Sequence, residues 1–404
     1  MRLWSRGRPR GVQRTTLGRL TSRPIVDRSA RDAYIPVGRA EVLAAFQGDF
    51  SGYAAVLCLG PESVLDTGET PVVFSPPNLE YLGPDDVVAI DLDGTVRVWY
   101  RRHSENNTIL LTEQCNSLCL MCSQPPKPED DSARIPLILR LLDLIHRDAR
   151  ILTLSGGEPT LLGSGFFDIV TRARDSLPNT GLHILSNGRR FKDPTLASRL
   201  KAIQHHDLVL GIPLYSDIDW RHDYVVQARG AYNETISGLL HLAQVGVRLE
   251  LRVVLHRQTV ERLPELARFI ARNLPFVEHV ALMGLEMYGF ATQNVETLWI
   301  DPVDYRTKLS SAVRTLALSG MNVSVYNHQL CTLPRHLWPF TRKSISDWKT
   351  IYLPECEACS VREHCGGFFQ SGTKRRSVAI KPVSALSPSL AKALHILSSE
   401  IELD

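Results

Sequence analysis

Six times between residues 108 and 319, a short β-prone apolar run is followed by an amphipathic stretch of helical length. The predicted strands are 108–112, 151–155, 181–186, 207–215, 247–255 and 278–284. The predicted helices lie near 134–148, 164–176, 194–204, 232–245, 261–273 and 302–319. Strand and helix in regular alternation imply an α/β fold with right-handed crossovers and a parallel sheet. In closed barrels of this kind the loops after the strands carry the chemistry, and the same rule is extended here to an open one.

Three motifs stand in such loops. After the first strand comes Cys115-Asn-Ser-Leu-Cys119-Leu-Met-Cys122, spaced C-x3-C-x2-C. Three neighbouring thiolates can hold three irons of a [4Fe–4S] cluster and leave the fourth iron open to a substrate or cofactor. After the second strand comes Gly156-Gly157-Glu158-Pro159. The glycines let backbone approach a ligand closely, and the carboxylate beside them can pair with an ammonium group. The third strand ends at Ser186-Asn187-Gly188, which reads either as a polar ligand pair, Ser186 with Asn187, or as an ordinary Asn-Gly turn.

The other cysteines fall into two classes. Cys58, alone in an apolar run, reads as a core thiol. Cys331, Cys356, Cys359 and Cys365 form a second group. Four thiolates suit a closed [4Fe–4S] site and equally a structural Zn2+ site, and spacing does not decide between them. His364 reads as a flanking residue. Clustered cysteines fit metal or cluster binding in a reducing cytoplasm better than a disulfide framework.

The surroundings look ordinary for a soluble protein, with 44% hydrophobic and 22% charged residues. No apolar run reaches the ~18 residues of a membrane helix. The basic start lacks the apolar segment of a secretory signal. Residues 1–24 hold seven arginines and no acid. They read as a solvated arm, and nothing else suggests nucleic acid as a partner. The expected organisation is a disordered basic arm (1–33), a small β-rich unit (34–104), a βα core (105–320), a C-terminal cysteine-bearing extension (321–382) and a tail (383–404). Asp93-Gly94, between two β-branched runs, marks a hairpin in the β-rich unit.

Taken together, the three-cysteine loop and the Gly-Gly-Glu-Pro turn resemble the radical S-adenosylmethionine (radical SAM) superfamily. More specific strings narrow the resemblance. These are Leu111-Thr112-Glu113-Gln114-Cys115, Ser123-Gln124-Pro125-Pro126, Tyr326-Asn327-His328-Gln329-Leu330-Cys331, Leu337-Trp338-Pro339-Phe340 and Ser344-Ile345-Ser346-Asp347-Trp348-Lys349. They are similar to the C-type member of the His-Xaa-Ser system radical SAM maturases, over about residues 80–382.

This resemblance implies a partial (βα)6 TIM-like barrel with an auxiliary-cluster extension. Cys115, Cys119 and Cys122 would hold the SAM-cleaving [4Fe–4S] cluster. Gly156, Gly157, Glu158, Pro159, Ser186 and Asn187 would bind SAM, and the other four cysteines a second [4Fe–4S] cluster. One electron from the cluster cleaves SAM to methionine and a 5′-deoxyadenosyl radical, which takes a hydrogen atom from substrate. No catalytic side chain beyond the cluster ligands stands out.

The implied partners are a ribosomally made peptide with His-Xaa-Ser repeats, a second radical SAM protein, a small accessory protein and an external electron donor. Two other readings remain open: a radical SAM enzyme acting on a small metabolite, and a non-enzymatic iron–sulfur or zinc scaffold or electron carrier. The sequence departs from the superfamily pattern in two places. After His222-Asp223, Val226 stands where an arginine often meets SAM, with Arg252 a candidate substitute. Met121 stands where an aromatic residue often faces adenine.

Overall fold

The computed structural model describes residues 3–60, 65–343, 350–373 and 375–384. The string Ser344–Lys349, Arg2 and most of the expected tail lie outside the described residues.

The N-terminal sheet contains β1 (Trp4–Arg6), β2 (Arg8–Arg10), β3 (Thr16–Thr21), β4 (Tyr34–Gly38), β5 (Val56–Cys58), β6 (Val72–Phe74), β7 (Val87–Ile90) and β8 (Thr95–Tyr100). Its order is β1-β8-β7-β3-β4-β5-β6-β2. Since β1 and β2 are two halves of one stretch hinged at Gly7, the two edges of this sheet meet in a single strand. Only glycine fits the hinge, because a Cβ there would overlap the Phe74 carbonyl and sit 2.6 Å from Val73 Cγ1. The expected hairpin is present: β7 and β8 pair antiparallel, and Gly94 closes their turn at φ 77°.

This corrects the reading of residues 1–33 as a disordered arm, since three strands lie within them. Leu17 and Leu20 on β3 are buried in the core, and arginines of the segment have partners. Arg6 pairs with Asp93. Arg10 Nη2 donates to Thr67 Oγ1 at 3.1 Å. Arg19 donates to the Leu144 carbonyl at 2.7 Å, which fixes the unit to the end of the helix Ile135–Leu144.

The second sheet runs β9 (Asn107–Leu110), β10 (Ile151–Ser155), β11 (Gly181–Leu185), β12 (Leu208–Pro213), β13 (Arg248–Leu255), β14 (His279–Gly284), β15 (Asn322–Tyr326) and β16 (Thr341–Arg342). Neighbours in this order pair in parallel throughout. It is an open barrel sheet with β9 and β16 at its edges, and all six predicted strands are in it.

β15 is an addition. Its residues, Asn-Val-Ser-Val-Tyr, follow the helix Pro302–Leu318 and pair with β14, so the barrel sheet reaches into the segment expected to be extension. Helices Ser164–Ser176, Ala231–Gln244 and Leu263–Asn273 supply crossovers. Their apolar faces join the strands in one core holding Phe166, Ile184, Leu239, Leu251 and Leu266. Among the described residues, no helix is long and apolar enough to cross a membrane.

Candidate active site

The three-cysteine loop leaves the end of β9 and is held on every side. Asp131 grips its root, accepting from Thr112 Oγ1 at 2.7 Å and from the Glu113 N–H at 2.7 Å. The turn after β10 lies alongside, with Gly157 N donating to Thr112 O and Glu158 N to Gln114 O, both at 2.7 Å. Here the two glycines admit the loop's own backbone. A Cβ on Gly156 would stand 2.8 Å from the Thr112 carbonyl oxygen, and one on Gly157 would overlap the Gln114 carbonyl. From the far side, Leu118 N donates to Val226 O at 3.0 Å and Leu120 N to Val225 O at 2.9 Å. Phe290 N donates to Cys122 O at 2.8 Å.

Glu158 is fully buried. Its Oε1 accepts from Thr160 N at 3.0 Å, Thr160 Oγ1 at 2.5 Å and Ser186 Oγ at 2.9 Å. Its Oε2 accepts from Asn187 N at 2.7 Å. The Asn187 side chain donates to Asn116 Oδ1 at 2.6 Å, inside the cysteine loop. The motifs at the ends of β9, β10 and β11 therefore form one connected unit.

Sequence reasoning missed the arginine that locks this unit. Arg189 Nε donates to Glu234 Oε2 at 2.7 Å. Its Nη1 donates to the Asn116 carbonyl and to Ser117 Oγ at 3.1 Å. The only available signal was its position, directly after Ser186-Asn187-Gly188.

The departures from the superfamily pattern have clear surroundings. Val226 is buried and contributes its carbonyl to the loop. Arg252 donates to Glu250 Oε1 at 3.1 Å and faces Met283 Sδ at 3.3 Å, inside the barrel. Met121 is buried with Tyr215, Val225 and Leu298. Tyr215 stacks on His222 at 5.7 Å between ring centroids. The Asp223 carboxylate accepts from Gly230 N and Tyr232 N.

All eight cysteines are free. Burial pushes the thiol of Cys115 up to about 11 and that of Cys119 up to about 12, and it raises Cys122 too; neighbouring thiolates add to the first two. Such thiols ionise when a cation compensates the charge, which is the chemistry of a cluster ligand set.

Cys331, Cys356, Cys359 and Cys365 line one pocket with Tyr352 and Val361. Burial raises Cys331 and Cys365, and the facing thiols raise them further. Among the described residues, no three His, Cys, Asp or Glu side chains are placed to hold a single metal ion. By donor type both thiol sets suit an iron–sulfur cluster, and the four-cysteine set suits a zinc site equally.

Residues 109–270 match the Radical SAM superfamily. No curated protein matches the chain. Streptococcus suis SuiB bound to S-adenosylmethionine is 16% identical over 56% of this chain and 51% of its own, with a TM-score of 0.44. The chain thus spans about half the length of SuiB. Native anSMEcpe with bound AdoMet and Kp18Cys peptide is 13% identical over 73% of this chain and 97% of its own, with a TM-score of 0.47. A radical SAM methyltransferase from Sphaerobacter thermophilus is 17% identical over 61% of this chain and 74% of its own, with a TM-score of 0.42.

Proposed function

We propose that this chain, with its radical SAM domain at 109–270, is an enzyme that modifies a ribosomally made peptide carrying His-Xaa-Ser repeats. The observation that carries the reading is the union of the three-cysteine loop with the Gly156–Pro159 turn through paired backbone bonds at the strands' C-terminal ends. When bound by Cys115, Cys119 and Cys122, a [4Fe–4S] cluster supplies the electron that reductively cleaves SAM to methionine and a 5′-deoxyadenosyl radical.

The chain's own part is to hold that chemistry in place. Arg189 and Glu234 fix the loop from outside. Glu158 ties the turn to Ser186 and Asn187, and the edge formed by Gly156, Gly157, Pro159, Ser186 and Asn187 is assigned to SAM. Tyr215 and Met121 bury the inner side of the loop and keep water from it. Cys331, Cys356, Cys359 and Cys365 are assigned a second [4Fe–4S] cluster. The narrower maturase reading, with a second radical SAM protein, a small accessory protein, an external electron donor and a cytoplasmic location, rests on the sequence strings.

The test is 5′-deoxyadenosine release by anaerobically reconstituted protein with SAM and dithionite, with and without a His-Xaa-Ser repeat peptide. Release stimulated by peptide, with a mass change on it, is expected. Stimulation by small metabolites and by no peptide would overturn the substrate assignment.

A further inference from the structure

A cavity opens between the two thiol sites. It is bounded by the loops after β13, β14 and β15, by Trp299–Tyr305 and by residues 366–372 and 375–377. One end lies on the loop after β14, which turns at Glu286 and closes on Cys122 through the Phe290 N–H. The other end shares Gln329, Gly367 and Phe368 with the pocket of the four cysteines.

Most polar groups on its wall already have partners. Tyr305 donates to His328 Nε2 at 2.7 Å, and His328 Nδ1 donates to the Tyr326 carbonyl at 2.8 Å. Asn327 Nδ2 donates to Gly284 O, and Gln329 Nε2 to Gly367 O. The two lining arginines are paired, Arg375 with Glu296 at 3.4 Å and Arg376 with Glu355 at 3.3 Å. Arg375 also lies over the Trp299 ring at 5.5 Å.

Two groups stand apart. The half-buried Glu286 carboxylate has neither an ion pair nor a side-chain hydrogen bond among the described residues. Ser371 Oγ is buried with no partner among the described residues. Both can accept hydrogen bonds, and one carries a negative charge that a half-enclosed wall leaves uncompensated. The complement is a cation with more than one N–H donor.

We propose that this cavity takes a cationic side chain of the peptide substrate, imidazolium or guanidinium, with Glu286 as its counter-charge and Ser371 as a second acceptor. Glu286 is thereby a specificity-determining residue. This rests on the peptide reading above.

The test uses full-length, anaerobically reconstituted protein with SAM and three fluorescein-labelled peptides, (His-Ala-Ser)3, (Arg-Ala-Ser)3 and (Gln-Ala-Ser)3, followed by fluorescence anisotropy. At pH 6 the wild type is expected to prefer the His and Arg peptides over the Gln peptide about tenfold, the scale of one partly desolvated ion pair. At pH 8 the His preference is expected to fade, since imidazole loses its proton near ~6.5, while the Arg preference stays. Glu286→Gln is expected to erase both preferences and Glu286→Asp to retain them. The cluster absorbance and circular dichroism of each variant report whether it is intact. An intact Glu286→Gln that keeps the preference overturns the inference. So does a wild type that binds all three peptides equally, which leaves the peptide reading standing. A wild type that binds none overturns both.

Discussion

The backbone N–H of Asn187 donates to Glu158 Oε2 at 2.7 Å, which ties the turn after β10 to the end of β11. Every donor around this carboxylate points inward, so an amide in its place must turn an NH2 toward an N–H or hydroxyl donor. Glu158→Gln is expected to cost about 2–4 kcal/mol, the scale of a broken buried charged hydrogen-bond network. The urea midpoint of the full-length protein measures it, and an unchanged midpoint contradicts the structural role given to Glu158.

Arg189 acts on the cysteine loop from outside it. Arg189→Met removes the bonds to Asn116 and Ser117 and leaves Glu234 with Lys192, at 2.6 Å, as its remaining partner. The expected result is a folded protein whose iron leaves faster in the presence of a chelator, with a stability loss of about 1–3 kcal/mol. Iron loss at the wild-type rate would show that the loop needs no clamp.

Gly157 and Gly83 make a matched pair. A Cβ on Gly157 would overlap the Gln114 carbonyl, whereas nothing lies within 4 Å of one on Gly83. Gly157→Ala is expected to cost about 3 kcal/mol or more through overpacking against backbone, and Gly83→Ala to stay within about 0.5 kcal/mol. Equal thermal midpoints for the two variants would contradict the close approach of turn and loop.

Three buried histidines set an acid limit. Burial of the neutral ring lowers His222 to about 4, His256 to about 3 and His328 to about 4. In the unfolded chain each would protonate near ~6.5. The folded values are depressed, so the stability from these neutral rings is full above pH 6.5 and is lost as pH falls toward 4. Each is expected to remove about 2 kcal/mol by pH 5, where most carboxylates are still ionised. Urea midpoints at pH 7.5 and pH 5 check this, and a flat profile would contradict it.

Much of this architecture is legible in the residues, because local signals carry it. Alternating apolar runs mark the parallel strands, Asp93-Gly94 marks its hairpin, and the cysteine spacing marks the loop. The misses share a non-local cause. The strand at Trp4–Arg6 pairs with Thr95–Arg97, about ninety positions away, and its arginine-rich composition hides that pairing. β15 is short and half polar, and it becomes a strand by adding to the open edge of β14. Two partners of Glu158, Ser186 and Asn187, lie just past the end of a different strand, so its role as an internal tie cannot be read from the turn alone. Arg189 is likewise one arginine among many until the fold sets it against Asn116.

The most direct measurement is 5′-deoxyadenosine release by the anaerobically reconstituted full-length protein with SAM and dithionite, beside Cys119→Ala treated identically. Cys119 lies on the loop between Leu118 and Leu120, both bonded to the end of the helix Asp219–Val226. Release by the wild type and none above background by Cys119→Ala is the expected result. Equal release by the two proteins, or none from a wild type carrying its full complement of iron, would contradict SAM cleavage at the three-cysteine loop.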